Sequence, residues 1–165
     1  MRIPMTMAMT AIALAGCATT SGDGAGTVVA AAGETIRYET TPCFGTCPVY
    51  TLTLRPDGSG TFEGRQHTAV AGTREFRASP AEVRRFAAAL APYRPSEGER
   101  LYTMGSDLCG GPMVSDMPSV DVRWDDARHL SLYYGCGSQA MRDAVRRAPE
   151  ALPVRDFIGR PGAAR

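Results

Sequence analysis

The sequence predicts an α+β domain: an antiparallel sheet built from hairpins, with two or three helices packed on one face. Three observations carry this. Apolar residues alternate at period two through residues 49–55, and again through 120–124 and 130–134. The segments after Ser79 and after Ser138 carry helix caps followed by apolar stripes at three- and four-residue steps. Strands come in runs and helices follow them, an order that argues for α+β.

In chain order, residues 34–40 place Ile36 and Tyr38 on one strand face. In 49–55, Tyr50, Leu52 and Leu54 share a face opposite Val49, Thr51 and Thr53. Pro56-Asp57-Gly58 is a turn, because proline presets φ and glycine permits positive φ, and 61–65 returns as the second arm. A weaker strand is expected over 73–78. Ser79-Pro80-Ala81-Glu82 opens a helix with a capping serine, proline at its first position and the glutamate of a capping box. Val83, Phe86, Ala87 and Leu90 form its apolar stripe, and Pro92 ends it. Residues 97–118, rich in Gly, Asp and Pro, are expected to be one long loop. Asp125-Asp126 turns a second hairpin. Ser138 caps a helix whose Met141, Ala144, Val145 and Ala148 face the core before Pro149. A last short helix or turn over 154–159 is expected to pack Phe157 and Ile158 as a lid.

Ahead of this domain, Arg2 is the one charge in the first sixteen residues, and residues 3–14 are mostly Met, Ala, Ile and Leu. A positive start and an apolar run too short to span a bilayer read as a signal peptide, residues 1–16. Its ending, Leu14-Ala15-Gly16-Cys17, resembles the lipobox of bacterial lipoproteins. That resemblance implies cleavage before Cys17 and lipidation of its thiol. Ala18 stands where that pattern places aspartate for inner-membrane retention, so the outer membrane, facing the periplasm, is the expected address. Residues 18–33 are mostly Ala, Thr, Ser and Gly, too small to repay ordering. A tether of this length spans about 20 Å on average and about 50 Å fully stretched.

The rest, 34–159, is enough for one domain, with 160–165 as a disordered tail. The formal net charge is +1, Arg2 included, and the chain has neither Lys nor Asn. No basic field of the kind nucleic-acid binding needs is present, and Arg84-Arg85 and Arg146-Arg147 read as solvated helix faces. With Cys17 assigned to the anchor, Cys43, Cys47, Cys109 and Cys136 remain, an even count that in an exported chain reads as two disulfides. Three pairings are open. Cys43–Cys47 with Cys109–Cys136 is favoured, and chain entropy gives about 2 kcal/mol for the short loop and about 3.5 for the long one.

Cys43-Phe44-Gly45-Thr46-Cys47-Pro48-Val49-Tyr50 resembles the cysteine segment of an uncharacterised bacterial envelope family, a domain of unknown function. In that family an Asp-Gly hairpin and a glycine-bearing second arm follow, matched here by Pro56-Asp57-Gly58 and Phe62-Glu63-Gly64. Asp116-Met117-Pro118 matches its later Asp-x-Pro segment. The resemblance covers roughly residues 34–158 and implies one domain and the local cysteine pair. It brings no activity.

The residues themselves point away from catalysis. Redox cysteine pairs have two residues between them at a helix start, whereas Cys43 and Cys47 have three and precede a strand. His67 and His129 lack ligand spacing for a metal, and Met104, Met113 and Met117 near Cys109 read as loop packing. Ser131, His129 and Asp116 lack a nucleophile elbow, with His129 expected at the surface or a sheet edge and Asp116 in an Asx-type turn. Gly105, Gly110 and Gly111 lack the strand-to-helix setting of a phosphate loop. The expectation is a lipid-anchored binding or envelope-maintenance module with no cofactor, meeting an envelope protein or ligand through Phe44, Tyr50, Asp116, Tyr133 and Tyr134. The alternative is an envelope thiol oxidoreductase or metal chaperone using Cys43 and Cys47.

The anchor is directly testable. Cys17→Ser is expected to abolish lipid labelling and release the protein from membranes; a variant still labelled and membrane-bound contradicts the lipobox reading.

Overall fold

The computed structural model describes residues 33–110, 115–125 and 127–159. The expected leader, the lipidated Cys17, the tether up to residue 32, Met113 and the tail lie outside them. The described elements are strands β1 (Ile36–Thr40), β2 (Val49–Leu54), β3 (Ser59–Gln66) and β4 (Gly72–Arg77), helix α1 (Pro80–Leu90), strands β5 (Glu99–Tyr102), β6 (Ser119–Trp124) and β7 (His129–Tyr133), and helices α2 (Gln139–Arg147) and α3 (Arg155–Ile158). Short 3₁₀ turns, Ala91–Tyr93 and Ala148–Ala151, extend α1 and α2. The fold is α+β, with one seven-stranded sheet in the order β4-β3-β2-β1-β6-β7-β5. Every neighbouring pair is antiparallel except β5–β7, which is parallel.

The central strand is β1, which joins the β2–β3–β4 meander to the β6–β7 hairpin. Its register sets Tyr38 between Leu52 and Val122, and Ile36 between Leu54 and Trp124. Because strand side chains alternate, this alignment collects Tyr38, Leu52, Phe62, Val122 and Leu130 into one apolar cluster. Helix α1 starts as its sequence dictates: the Ser79 side chain accepts from the Glu82 N–H while the Glu82 carboxylate accepts from the Ser79 N–H, with Pro80 at the first position. Phe86 and Leu90 enter the same cluster, and the Phe86 ring meets Tyr38 edge-on at 6.3 Å. Helix α2 is capped by Ser138 and contributes Met141 and Val145.

Two expectations are corrected together. The stretch 97–118 is not all loop, because β5 lies within it and pairs in parallel with β7, so the sheet is not wholly antiparallel. Glu99-Arg100-Leu101-Tyr102 carries no apolar alternation of its own; pairing with a finished neighbour makes it a strand, an edge effect that propensity does not register. With β5 covering that side, β7 is an inner strand. His129 is accordingly buried, 6 % exposed, and not at the surface or an edge.

The disulfides pair as favoured, Cys43–Cys47 and Cys109–Cys136. The first closes the β1–β2 connection. The second ties the chain beyond β5 to the chain beyond β7, reinforcing the parallel edge.

Gly64 answers to a close approach. A Cβ there would collide with the Val70 carbonyl oxygen, because the segment after β3 folds back over it. That segment is stitched to α3: the Ala69 N–H donates to the Ile158 carbonyl at 3.2 Å and the Val70 N–H to the Phe157 carbonyl at 3.1 Å. Phe157 then packs on Phe62, with ring centroids 5.7 Å apart.

Gly64→Ala is therefore expected to cost about 1–3 kcal/mol, the range for forcing extra volume into a packed site, and to lower the urea midpoint. Gly33→Ala, whose Cβ meets nothing, serves as the control. Equal midpoints for the two variants would contradict the docked segment.

Candidate functional site

A cavity of about 640 Å³ opens where the C-terminal end of β1 meets α2 and α3. Its floor is made by Tyr38 and Tyr50 from the strands and by Tyr134, the residue after β7. The Tyr134 N–H donates to the Pro118 carbonyl at 3.0 Å, which carries the ladder one residue past β7. Alternation then sends Tyr134 to the core side. Pro48, Pro118 and Pro149 furnish apolar wall, and Ile158 of α3 stands at one side. The Thr40 hydroxyl donates to the Pro48 carbonyl at 2.8 Å and accepts from the Tyr50 N–H at 3.0 Å, locking the irregular start of β2.

The three tyrosines form one polar cluster inside an apolar shell. Tyr38 is 1 % exposed, and its hydroxyl donates to the Val145 carbonyl of α2 at 3.1 Å. The Tyr50 and Tyr134 hydroxyls lie beside it. Burial pushes Tyr38 and Tyr50 well above the usual tyrosine value. Burial raises Tyr134 too, against the opposing pull of the Tyr38 hydroxyl and the Arg146 guanidinium. That guanidinium lies over the Tyr134 ring, 4.7 Å from its centroid. Arg146, Arg147, Glu150 and Arg155 are exposed and line the mouth. Arg155 and Glu150 make only a long contact of 4.0 Å.

A second polar constellation lies on strand positions that alternate away from Tyr38. Arg65 donates to Glu39 at 2.6 Å and to Thr51 at 2.8 Å, and Arg37 donates to Glu39 at 2.9 Å. Partial burial pushes Glu39 up, but these two arginines outweigh it and hold its carboxyl below the usual value. The two His129 ring nitrogens face Glu99 at 3.0 Å and Asp121 at 2.8 Å. No nitrogen is left over for Ser131, so His129, Ser131 and Asp116 do not assemble as an acid–base relay. Among the described residues, no group of His, Cys, Asp and Glu is arranged to hold a metal ion.

The residues expected to form a recognition patch are spread out. Tyr50 and Tyr134 line the cavity. Tyr133 is buried, and its hydroxyl accepts from the Met117 N–H at 3.2 Å. Phe44 is 91 % exposed at the tip of the Cys43–Cys47 loop, and its N–H donates to the Asp116 carbonyl at 3.2 Å. Asp116 itself adopts a left-handed φ of 72°, a conformation aspartate tolerates better than most residues. Arg146 and Arg147 are exposed on α2, in keeping with a solvated helix face; nothing in the sequence signals that they share a cavity mouth with Arg155, or that Glu99 and Asp121 are partners of His129.

Residues 34–153 match the family described as Domain of unknown function (DUF6438). The chain belongs to that family. The matched stretch runs from just before β1 through the 3₁₀ turn after α2, so the DUF6438 domain supplies the whole sheet and the tyrosine floor. Helix α3, with Arg155 and Ile158, lies beyond the match. No curated protein matches the chain.

The tyrosine shifts fix a pH dependence. Above about pH 10 the unfolded chain ionises its tyrosines while the folded chain keeps Tyr38, Tyr50 and Tyr134 protonated. Stability is thus fully present below that pH and falls as pH rises past it. Urea midpoints should drop steeply on the alkaline side, and less steeply for Tyr38→Phe. Six tyrosines titrating together at the ordinary value would contradict the buried cluster.

Proposed function

We propose that this DUF6438 protein is a lipid-anchored envelope module that binds a small ligand without transforming it. The observation carrying the reading is the cavity of about 640 Å³. Its size is that of small-molecule sites, which are mostly apolar and largely preformed. Three tyrosines and three prolines line it, and charge gathers at its mouth. In this reading the helices pack on the apolar face of the sheet, and the Arg37–Glu39–Arg65 and Glu99–His129–Asp121 clusters occupy the other. The anchor is Cys17, and the tether holds the domain beside an outer membrane, facing the periplasm. The Cys-Phe-Gly-Thr-Cys-Pro-x-Tyr segment serves as structure: its disulfide shapes the connection that sets Pro48 and Tyr50 at the cavity.

The thiol-oxidoreductase or metal-chaperone reading has less support. Cys47 leads into β2, so no helix N-terminus is available to lower a thiol pKa.

The test uses the uncharged fluorescent probe N-phenyl-1-naphthylamine on the full-length Cys17→Ser chain. A single saturable site is expected, weakened by Ile158→Trp, which fills the cavity from α3, while the unfolding midpoint holds. Absent or non-saturable binding, or binding indifferent to Ile158→Trp, would contradict the proposal.

A further inference from the structure

The cavity has an asymmetry that specifies more than its existence. Its interior is mostly apolar. Tyr38 spends its proton on the Val145 carbonyl, the neighbouring hydroxyls face Tyr38, and the proline walls have no N–H to donate. A peptide or sugar placed there would bury polar groups without partners, at a cost of roughly 1–3 kcal/mol for each by mutational measures. A hydrocarbon chain meets no such penalty.

The mouth is the opposite. Among the described residues, Arg146, Arg147 and Arg155 line it against one carboxylate, Glu150. Arg146 is held over Tyr134. Arg147 bonds through Nε to the Asp143 carbonyl at 3.3 Å, which leaves its terminal nitrogens for another acceptor. Among the described residues, the Arg155 side chain has only the 4.0 Å contact to Glu150. Arginine forks match a carboxylate by paired hydrogen bonds, and a cationic head group would be repelled from this rim. The volume lies in the range that encloses one small ligand, which argues for one chain and not two.

We propose that the ligand is a fatty acid, a single-chain monocarboxylate, with its chain in the tyrosine- and proline-lined chamber and its head on Arg147 and Arg155. This rests on the binding reading above and adds a prediction of its own, selection by head-group charge. It also gives a role to α3, which lies outside the family match. There Arg155 supplies part of the charge and Ile158 part of the wall.

The experiment displaces N-phenyl-1-naphthylamine from the full-length Cys17→Ser chain with palmitate and, separately, with hexadecanol, which has the same chain and no charge. Palmitate should bind at least about tenfold more tightly, as expected for charge-assisted hydrogen bonds. The double variant Arg147→Gln/Arg155→Gln should erase that difference. Glu150→Gln should move the other way and strengthen palmitate. If the dye binds but palmitate and hexadecanol compete equally, the head-group inference is overturned and the binding module stands. If dimer formation expels the dye where palmitate does not, a second copy is the occupant and the inference also fails. If the dye does not bind at all, the binding module and this inference fall together.

Discussion

One buried hydrogen bond organises the molecule: the Tyr38 hydroxyl donating to the Val145 carbonyl. Tyr38 sits on the central strand, between the meander on one side and the second hairpin on the other. Its ring meets Phe86 of α1 and stacks near Tyr50, while its oxygen reaches α2. A phenol at this depth is tolerable only when its proton and lone pairs are used. That bond holds α2 within hydrogen-bond reach of β1, and the cavity lies beside it, lined by residues of both elements. The same atom that satisfies the core also closes the cavity floor.

The disulfides act on the two flanks of this arrangement. Cys43–Cys47 shortens the freedom of the β1–β2 connection, which then delivers Pro48 to the cavity wall. Cys109–Cys136 ties the connection after β5 to the chain after β7. Without β5, His129 would face water and Glu99 would be absent from its side. The parallel edge strand and the carboxylate–histidine–carboxylate arrangement thus stand or fall together.

Most of the fold is legible in the sequence because most of it is set by local pattern. The alternation at Tyr50, Leu52 and Leu54, the capping box at Ser79 and Glu82, and the cap at Ser138 each specify their element without help from the rest of the chain. The exception, β5, is made by its neighbour, so its four residues carry no signal to read. The cavity was less legible for a related reason. Tyr50 and Tyr134 stand out as aromatic residues, but whether an aromatic ring is core, patch or pocket wall depends on where α2 and α3 come to rest. Arg146, Arg147 and Arg155 lie on two different elements, and only tertiary packing puts them around one mouth.

The most direct test of this account is a solution magnetic-resonance observation of the Tyr38 hydroxyl proton. A hydroxyl shielded from water and bonded to Val145 should exchange slowly enough to be seen, with cross-peaks to the Val145 backbone and to the Tyr50 and Tyr134 rings. A Tyr38 hydroxyl that exchanges with solvent too fast to detect, or one showing no contact with α2, would contradict it.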